Sequence, residues 1–382
     1  MSNSITPTPA SALLSEFGGF TIPAGCRRIF ITAELEPSNS DPRIQPTGFP
    51  DIGPVLYPDP AEKDGLICLI ESEASMANRL EAVCFSNSYE GTLLDTFAGL
   101  SYLKAQTGTG ATAVLKTTST LDGHRFASDF LAKGKAKFSA AADATDQTLA
   151  EHIKTSLGMA ADGKTMPIAN VPNMFPLVLS LDTMSLIHGF QVSNEQISFV
   201  GLRLPRALSA SVIGLGCERI SVPGIKFNVG QVESESGQAI FQKARITAKK
   251  IEVRFSIDVG LLTSLRLVRP DEQPPEDKTA QQLQADRVQL LLAIALWKVA
   301  AFLDLLSVEL SLRTECKLRL KRGANGQAIT PNASCEGGPN PTTGALPFAA
   351  IAAASLANFI SAALPGTDEQ RKARSPLTLQ FA

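Results

Sequence analysis

A chain of 382 residues with 44% hydrophobic and 19% charged residues has the composition of a folded protein with an ample core, which excludes a disordered or low-complexity scaffold. Its formal net charge of -2 lacks the strongly basic footprint of a generic polyanion binder. The charge is uneven along the chain. Residues 1–100 hold five basic and thirteen acidic residues, and residues 200–269 hold eleven basic and five acidic. Such segregation is read either as complementary faces for head-to-tail self-association, with the basic face open to a polyanion, or as plain clustering. Cys26, Cys68, Cys84, Cys217, Cys316 and Cys335 show no C-x-x-C spacing, which predicts neither a zinc site nor a disulfide framework. Cys68 and Cys316 fall in apolar strand patterns, where a reduced thiol acts as a small hydrophobe. The first ten residues lack a basic region followed by an apolar run, so the expected location is cytoplasmic.

In chain order, the first predicted strand covers residues 28–35, with Ile29, Ile31, Ala33 and Leu35 on one face. Residues 36–65 carry many Pro and Gly and read as a long ordered loop. Within it, Arg43-Ile44-Gln45-Pro46-Thr47-Gly48-Phe49-Pro50-Asp51-Ile52-Gly53 has the turn residues of a rigid loop that displays Arg43 and Gln45. A helix over 72–83 points Met76, Leu80 and Val83 inward and places Ser75, Asn78 and Arg79 where they can share a groove. Residues 93–173 look like an inserted subdomain, with a strand over 113–118 and a helix over 147–157. A second rigid string, Arg203-Leu204-Pro205-Arg206-Ala207-Leu208-Ser209-Ala210, brackets a φ-fixing proline with two guanidinium groups.

Residues 217–244 read as a protruding hairpin, with Lys226 and Phe227 at its base. Ile251, Val253, Phe255, Ile257 and Val259 alternate with polar residues as a strand with one buried face does. A solvated linker follows over 269–277. Leu283, Leu290, Leu291, Ile294, Trp297, Ala301, Phe302 and Leu305 then mark an amphipathic helix of about seven turns. Val308, Leu310, Leu312, Cys316, Leu318 and Leu320 predict a strand with a basic outer face. Strand, helix, strand is half of a βαββαβ unit. The fold class is therefore read as α+β, with an RRM-like (ferredoxin-like) βαββαβ core, a large insertion and a protruding β-hairpin. Residues 345–364 carry no charge and match a membrane span in length, but alanine supplies little driving force, so a buried helix is expected there.

Those two strings occur with Glu71-Ser72-Glu73-Ala74-Ser75-Met76-Ala77-Asn78-Arg79-Leu80-Glu81, Ser185-Leu186-Ile187-His188-Gly189 and Ala295-Leu296-Trp297-Lys298. In that order the set resembles the RAMP-superfamily backbone subunits of type I-U (I-G) CRISPR-Cas surveillance complexes, across residues 29–320. The resemblance implies a noncatalytic protein that oligomerises along CRISPR RNA and presents the spacer for pairing with target DNA. It implies as partners the RNA, neighbouring copies of the chain, a large PAM-sensing subunit and a fused capping and RNA-processing subunit, with no membrane, metal or cofactor. It divides the chain into the start of the palm (1–36), palm helix and finger (37–180), palm continuation (181–216), thumb (217–245), palm strand-helix-strand (246–322) and a C-terminal extension (323–382).

RNA binding of this kind needs cations for phosphate, planar groups for stacking and an apolar wedge between bases. Arg43 and Gln45 are candidates for phosphate and ribose, with Phe49 for stacking; the alternative is a structural turn with Phe49 in the core. Arg203 and Arg206 are candidate phosphate clamps, and Ser75, Asn78 and Arg79 candidate RNA contacts. Lys226 with Phe227 would combine phosphate contact and wedge. His124, Arg125 and His188 fall in family-like motifs and are candidate RNA contacts, while His152 reads as a surface residue. A second reading is a backbone subunit that cuts target RNA with a loop aspartate, Asp51, binding Mg2+. A generic single-strand binder is disfavoured by the scarcity of aromatic stacking platforms.

Overall fold

Ile29, Ile31, Ala33 and Leu35 are all buried, with half-buried Phe30, Thr32 and Glu34 between them, and this alternation makes strand β1 (Arg28–Pro37) the spine of the main sheet. A computed structural model describes residues 16–17, 20–22, 25–49, 53–138, 145–193, 195–197, 202–220, 244–313, 315–337, 345–346, 353–364 and 375–381. The other principal elements of this layer are β2 (Leu66–Glu71), α1 (Glu73–Ala82), β3 (Leu208–Ile220), β4 (Arg245–Asp258), α2 (Ala280–Val308), β5 (Leu310–Arg313), β6 (Cys316–Leu320) and β7 (Asn332–Glu336).

The main sheet has nine strands and runs β5-β6-β1-β4-β3-β2 and then Leu56–Pro58, with every neighbour antiparallel. β4 sets the register on both sides: Ile257 faces Ile29 in β1 and Leu208 in β3. Along the chain β1, α1, β3, β4, α2 and β6 follow one another, and their four strands stand side by side as β6-β1-β4-β3. β7 takes the stretch of the β1 edge that β6 leaves open, pairing Asn332 with Thr32 and Glu336 with Arg28. The fold is thus α+β with antiparallel sheets.

Helix α1 starts where Ser72 caps it, its hydroxyl accepting from the Ser75 amide at 3.3 Å. Met76 and Leu80 are buried inward, and Val83, its C-cap, is half-buried. Helix α2 starts at a capping box in which Thr279 accepts from the Gln282 amide at 3.2 Å and the Gln282 side chain accepts from the Thr279 amide at 2.8 Å.

The amphipathic expectation for α2 is corrected, because residues 290–300 are buried on every face. Phe302 packs on Phe255 of the sheet at a centroid distance of 6.0 Å, and Trp297 meets Phe97 of the inserted region edge-on at 4.8 Å. Helix Ala353–Ala363, with Leu356 and Ile360 buried, also packs against α2. Among the described residues, α2 is the one helix long and apolar enough to cross a membrane, and 72% of its most apolar window is buried inside the fold.

The strand expected across 308–320 is also corrected. Val308 ends α2 and is 75% exposed, and the residues after it form a hairpin in which Leu310 pairs with Leu318 and Arg313 with Cys316. The reversal leaves the period-two alternation intact in both arms, so periodicity cannot reveal it.

Cys26 and Cys335 form a disulfide across 309 residues, which corrects the expectation of unpaired thiols. The pairing of β1 with β7 creates the proximity, which sequence spacing does not encode. The other four cysteines are free and buried.

A second sheet of five strands runs Val114–Thr118, Leu103–Thr107, Leu377–Gln380, Lys135–Ala136 and Gln147–Thr148. Its centre, Leu377–Gln380, comes from the far end of the chain and lies parallel to Leu103–Thr107. The helix expected over 147–157 is Leu149–Ser156, capped by Thr148 and Glu151. Of the predicted hairpin over 217–244, the root is a long ribbon whose outermost pair is Ile220 with Arg245, while residues 221–243, with Lys226 and Phe227, lie outside the described residues.

Candidate nucleic-acid interface

Two of the quoted motifs are clasped together by a glycine. Gly189 has φ +76°, and a Cβ there would lie 2.6 Å from the Leu204 carbonyl oxygen and 2.9 Å from the Pro205 carbonyl carbon, so the short helix Ser185–His188 can end against the 203–206 string only at this residue type. Phe190 then pairs with Leu204 and Gln191 with Arg203, and the Ala207 amide donates to the Ile187 carbonyl at 2.8 Å. Beside this clasp opens a cleft of about 520 Å3, lined by Asn78 of α1, Arg125, His188, Gln191, Arg206 and Ser209 among others. Arg203 and Arg206 are exposed, and no ion pair holds either among the described residues. Their guanidinium groups are therefore available to an anion.

The wall below the cleft is ionic and dry. Arg125 is 4% exposed, with φ +48°. It donates to Glu81, to the Ser119 carbonyl at 3.1 Å and to Asp182 at 3.4 Å, while Ser185 Oγ donates to Asp182 at 2.6 Å. Arg125 lines the cleft, but its two terminal nitrogens are turned to partners inside the wall. Next to it, the fully buried Lys298 donates from Nζ to His188 Nε2 at 2.8 Å. Burial pushes the Glu81 carboxyl up from its ordinary value. Burial, then the cations Lys298, Arg125 and Arg206, holds His188 well below the usual histidine value, so its ring is neutral.

A second buried carboxylate organises the neighbouring loop. Glu71, 2% exposed, accepts from Ser75, from Arg79 at 3.5 Å and from Arg313 at 2.6 Å. Arg313 also donates to the carbonyls of Gln45, at 3.0 Å, and Ile70, and Arg79 to that of Leu312 at 3.2 Å. Ser75 and Arg79 therefore turn away from Asn78, which corrects the shared groove expected of the three. Arg43 is exposed but grips Asp41 through both Nε (3.0 Å) and Nη2 (2.6 Å), and that bonding lowers the Asp41 carboxyl to about 2. Gln45 Oε1 is buried without a hydrogen-bond partner among the described residues.

Phe49 lies in a two-residue strand paired with Gly53–Pro54, and its side chain is outside the described residues, as is Asp51. His124 is exposed beside Gly123 at the cleft edge, its amide donating to Asp122 at 2.9 Å. His152 is half-buried, stacked on Phe138 at 4.1 Å, which corrects its reading as a surface residue.

The cleft thus gathers Asn78, Arg125, His188 and Arg206, while Arg43, Gln45, Ser75 and Arg79 belong to the neighbouring loop network. Sequence reasoning named neither Lys298 nor the carboxylates Glu71, Glu81 and Asp182 as site residues. A usable signal for Lys298 existed: it is the one charged residue between Arg287 and Asp304 on an otherwise apolar helix, and a lone buried charge needs a partner.

Fold and cleft define an α+β protein with antiparallel sheets and a cation-rimmed cleft backed by buried ion pairs. The model of the family described as CRISPR-associated protein GSU0053 (Cas_GSU0053) matches residues 29–219. The chain belongs to that family. No curated protein shows significant similarity to the chain.

Proposed function

We propose that this protein is a noncatalytic RAMP-type backbone subunit of a type I-U (I-G) CRISPR surveillance complex, cytoplasmic, which lines up copies of itself along CRISPR RNA and presents the spacer to target DNA. The observation that carries the reading is the clasp of His188-Gly189 against Leu204-Pro205-Arg206, which sets exposed Arg206 at a cleft with further polar groups and exposed Arg203 on the adjoining strand. Family membership supplies the CRISPR context.

In this reading the β6-β1-β4-β3 order, with α1 and α2 as crossovers, is an RRM-like palm. The inserted second sheet is the finger, and the β3-β4 ribbon is the root of the thumb. Arg203 and Arg206 hold phosphates, leaving the bases to pair with DNA, so that sequence is read by pairing and the protein reads backbone and shape. The neighbouring copies, the large PAM-sensing subunit and the fused capping and processing subunit are the partners that this role requires.

The test is the double charge reversal Arg203→Glu with Arg206→Glu. Both side chains are exposed, so folding is expected to stay intact, while RNA co-purifying with the protein is lost and the salt slope of RNA binding falls by about two. Undiminished RNA retention in the folded double variant would reject the site. Sequencing the RNA bound by the native protein decides whether it derives from CRISPR transcripts.

A further inference from the structure

Lys298 is 0% exposed, and its Nζ lies 2.8 Å from His188 Nε2 and 3.4 Å from Met184 Sδ. A lysine ammonium has only donors, so Nε2 must accept, and the one proton of a neutral ring then sits on Nδ1. That Nδ1 is buried and has no hydrogen-bond partner among the described residues, although His188 lines the cleft beside Arg206. A buried donor without an acceptor is a standing cost, and an oxygen entering the cleft would relieve it.

The surroundings also keep a second proton off the ring. Three cations face it from three elements: Lys298 from α2, Arg125 from the turn before residue 129 and Arg206 from the 203–206 string. The nearby carboxylates, Glu81 and Asp182, are already bonded to Arg125. Cys84 lies beside Lys298, and burial pushes its thiol up to about 11, leaving it uncharged.

We propose that Lys298 is a positioning residue that fixes His188 as its Nδ1–H tautomer, so that the cleft offers an uncharged, pH-independent N–H donor to an acceptor oxygen of the RNA sugar-phosphate chain. This rests on the RNA-binding reading of the cleft. The oxygen is a ribose 2′-hydroxyl or a non-bridging phosphate oxygen, which share acceptor chemistry. Lys298 itself does not touch the RNA.

The full-length protein labelled with 15N-histidine has three ring systems, assigned by His124→Gln and His152→Gln. In the native protein His188 is expected to report the Nδ1–H tautomer, to stay untitrated from about pH 5.5 to 8, and to shift its Nδ1 resonance when a single-stranded RNA is added. A 2′-deoxy strand of the same sequence abolishes that shift if the acceptor is the ribose hydroxyl and preserves it if the acceptor is phosphate. His188→Leu weakens RNA binding by about fivefold. Lys298→Met frees Nε2, so the tautomer is no longer fixed: an Nε2–H signal is expected to appear beside the Nδ1–H one, and RNA binding to weaken.

An Nε2–H tautomer, or titration near the ordinary histidine value in the native protein, would overturn the proposal even if Lys298→Met does not fold. RNA binding with an unmoved Nδ1 resonance sinks the proposal alone. A native protein that binds no RNA sinks the reading of the cleft instead.

Discussion

At Gly189 the backbone holds φ +76° and ψ 164°, and the neighbouring string approaches within 2.6 Å of where a Cβ would stand. Gly189→Ala therefore combines torsional strain with a backbone clash, and is expected to lower stability by about 1–3 kcal/mol, read as a reduced urea midpoint at constant slope. RNA affinity should fall with it, because the clasp carries Arg206. A variant as stable as the native chain would show that the two motifs are not locked together here. Histidine burial has its own signature. His152 is lowered to about 4 by burial and, secondarily, by Arg269, and His188 is lowered well below its ordinary value of 6.5. A group whose pKa drops on folding contributes stability that is complete above its unfolded value and is lost as the pH falls toward the folded one. Stability is thus expected to decline as the pH is lowered from about 6.5 toward 4. His152→Gln should reduce that slope; an unchanged slope in denaturation curves would contradict the assignment.

At the scale of elements, the start of α2 carries a measurable share of stability. Thr279→Ala removes a capping-box hydroxyl and is expected to cost about 1 kcal/mol, whereas Thr279→Ser should restore most of it; an alanine variant with native stability would mean that tertiary packing alone fixes that end. The apolar spacing from Leu283 onward, Ser72 before α1 and the alternating Ile29 to Leu35 are local signals, and each element begins within a few residues of where they point. What stayed hidden depends on residues far apart in the chain. The β5-β6 reversal preserves the alternation it interrupts, and Leu377–Gln380 is placed by a parallel partner some 270 residues earlier. Cys26 meets Cys335 only once β7 has docked on β1. The site follows the same rule. Arg203 and Arg206 were legible because Pro205 advertises a rigid turn. The inward bonding of Arg125 was not legible, because nothing local announces that Glu81 and Asp182 surround it.

Over the whole molecule, part of the charge of the acidic N-terminal stretch is matched within a single protomer. Glu62 of the acidic N-terminal stretch pairs with Lys249 of the basic stretch at 2.6 Å, and Glu34, Glu36 and Glu71 take Lys321, Arg319 and Arg313. The basic outer face expected of the strand after α2 is thus largely neutralised by β1 and β2, and Arg245 is bound to Glu315. Most of these pairs are partly exposed and contribute little to stability, but they reduce the charge left to drive charge-led stacking of copies. Arg203 and Arg206, by contrast, have no such ion pair among the described residues. Assembly should therefore depend on the polyanion that bridges protomers. Light scattering is expected to give the mass of one protomer without RNA at both low and high salt, a mass that grows with RNA length once RNA is added, and a loss of that growth as salt rises and counterions compete for phosphate. Oligomers that form without RNA and dissociate in salt would show instead that acidic and basic surfaces meet between copies, and the internal neutralisation described here would not govern assembly.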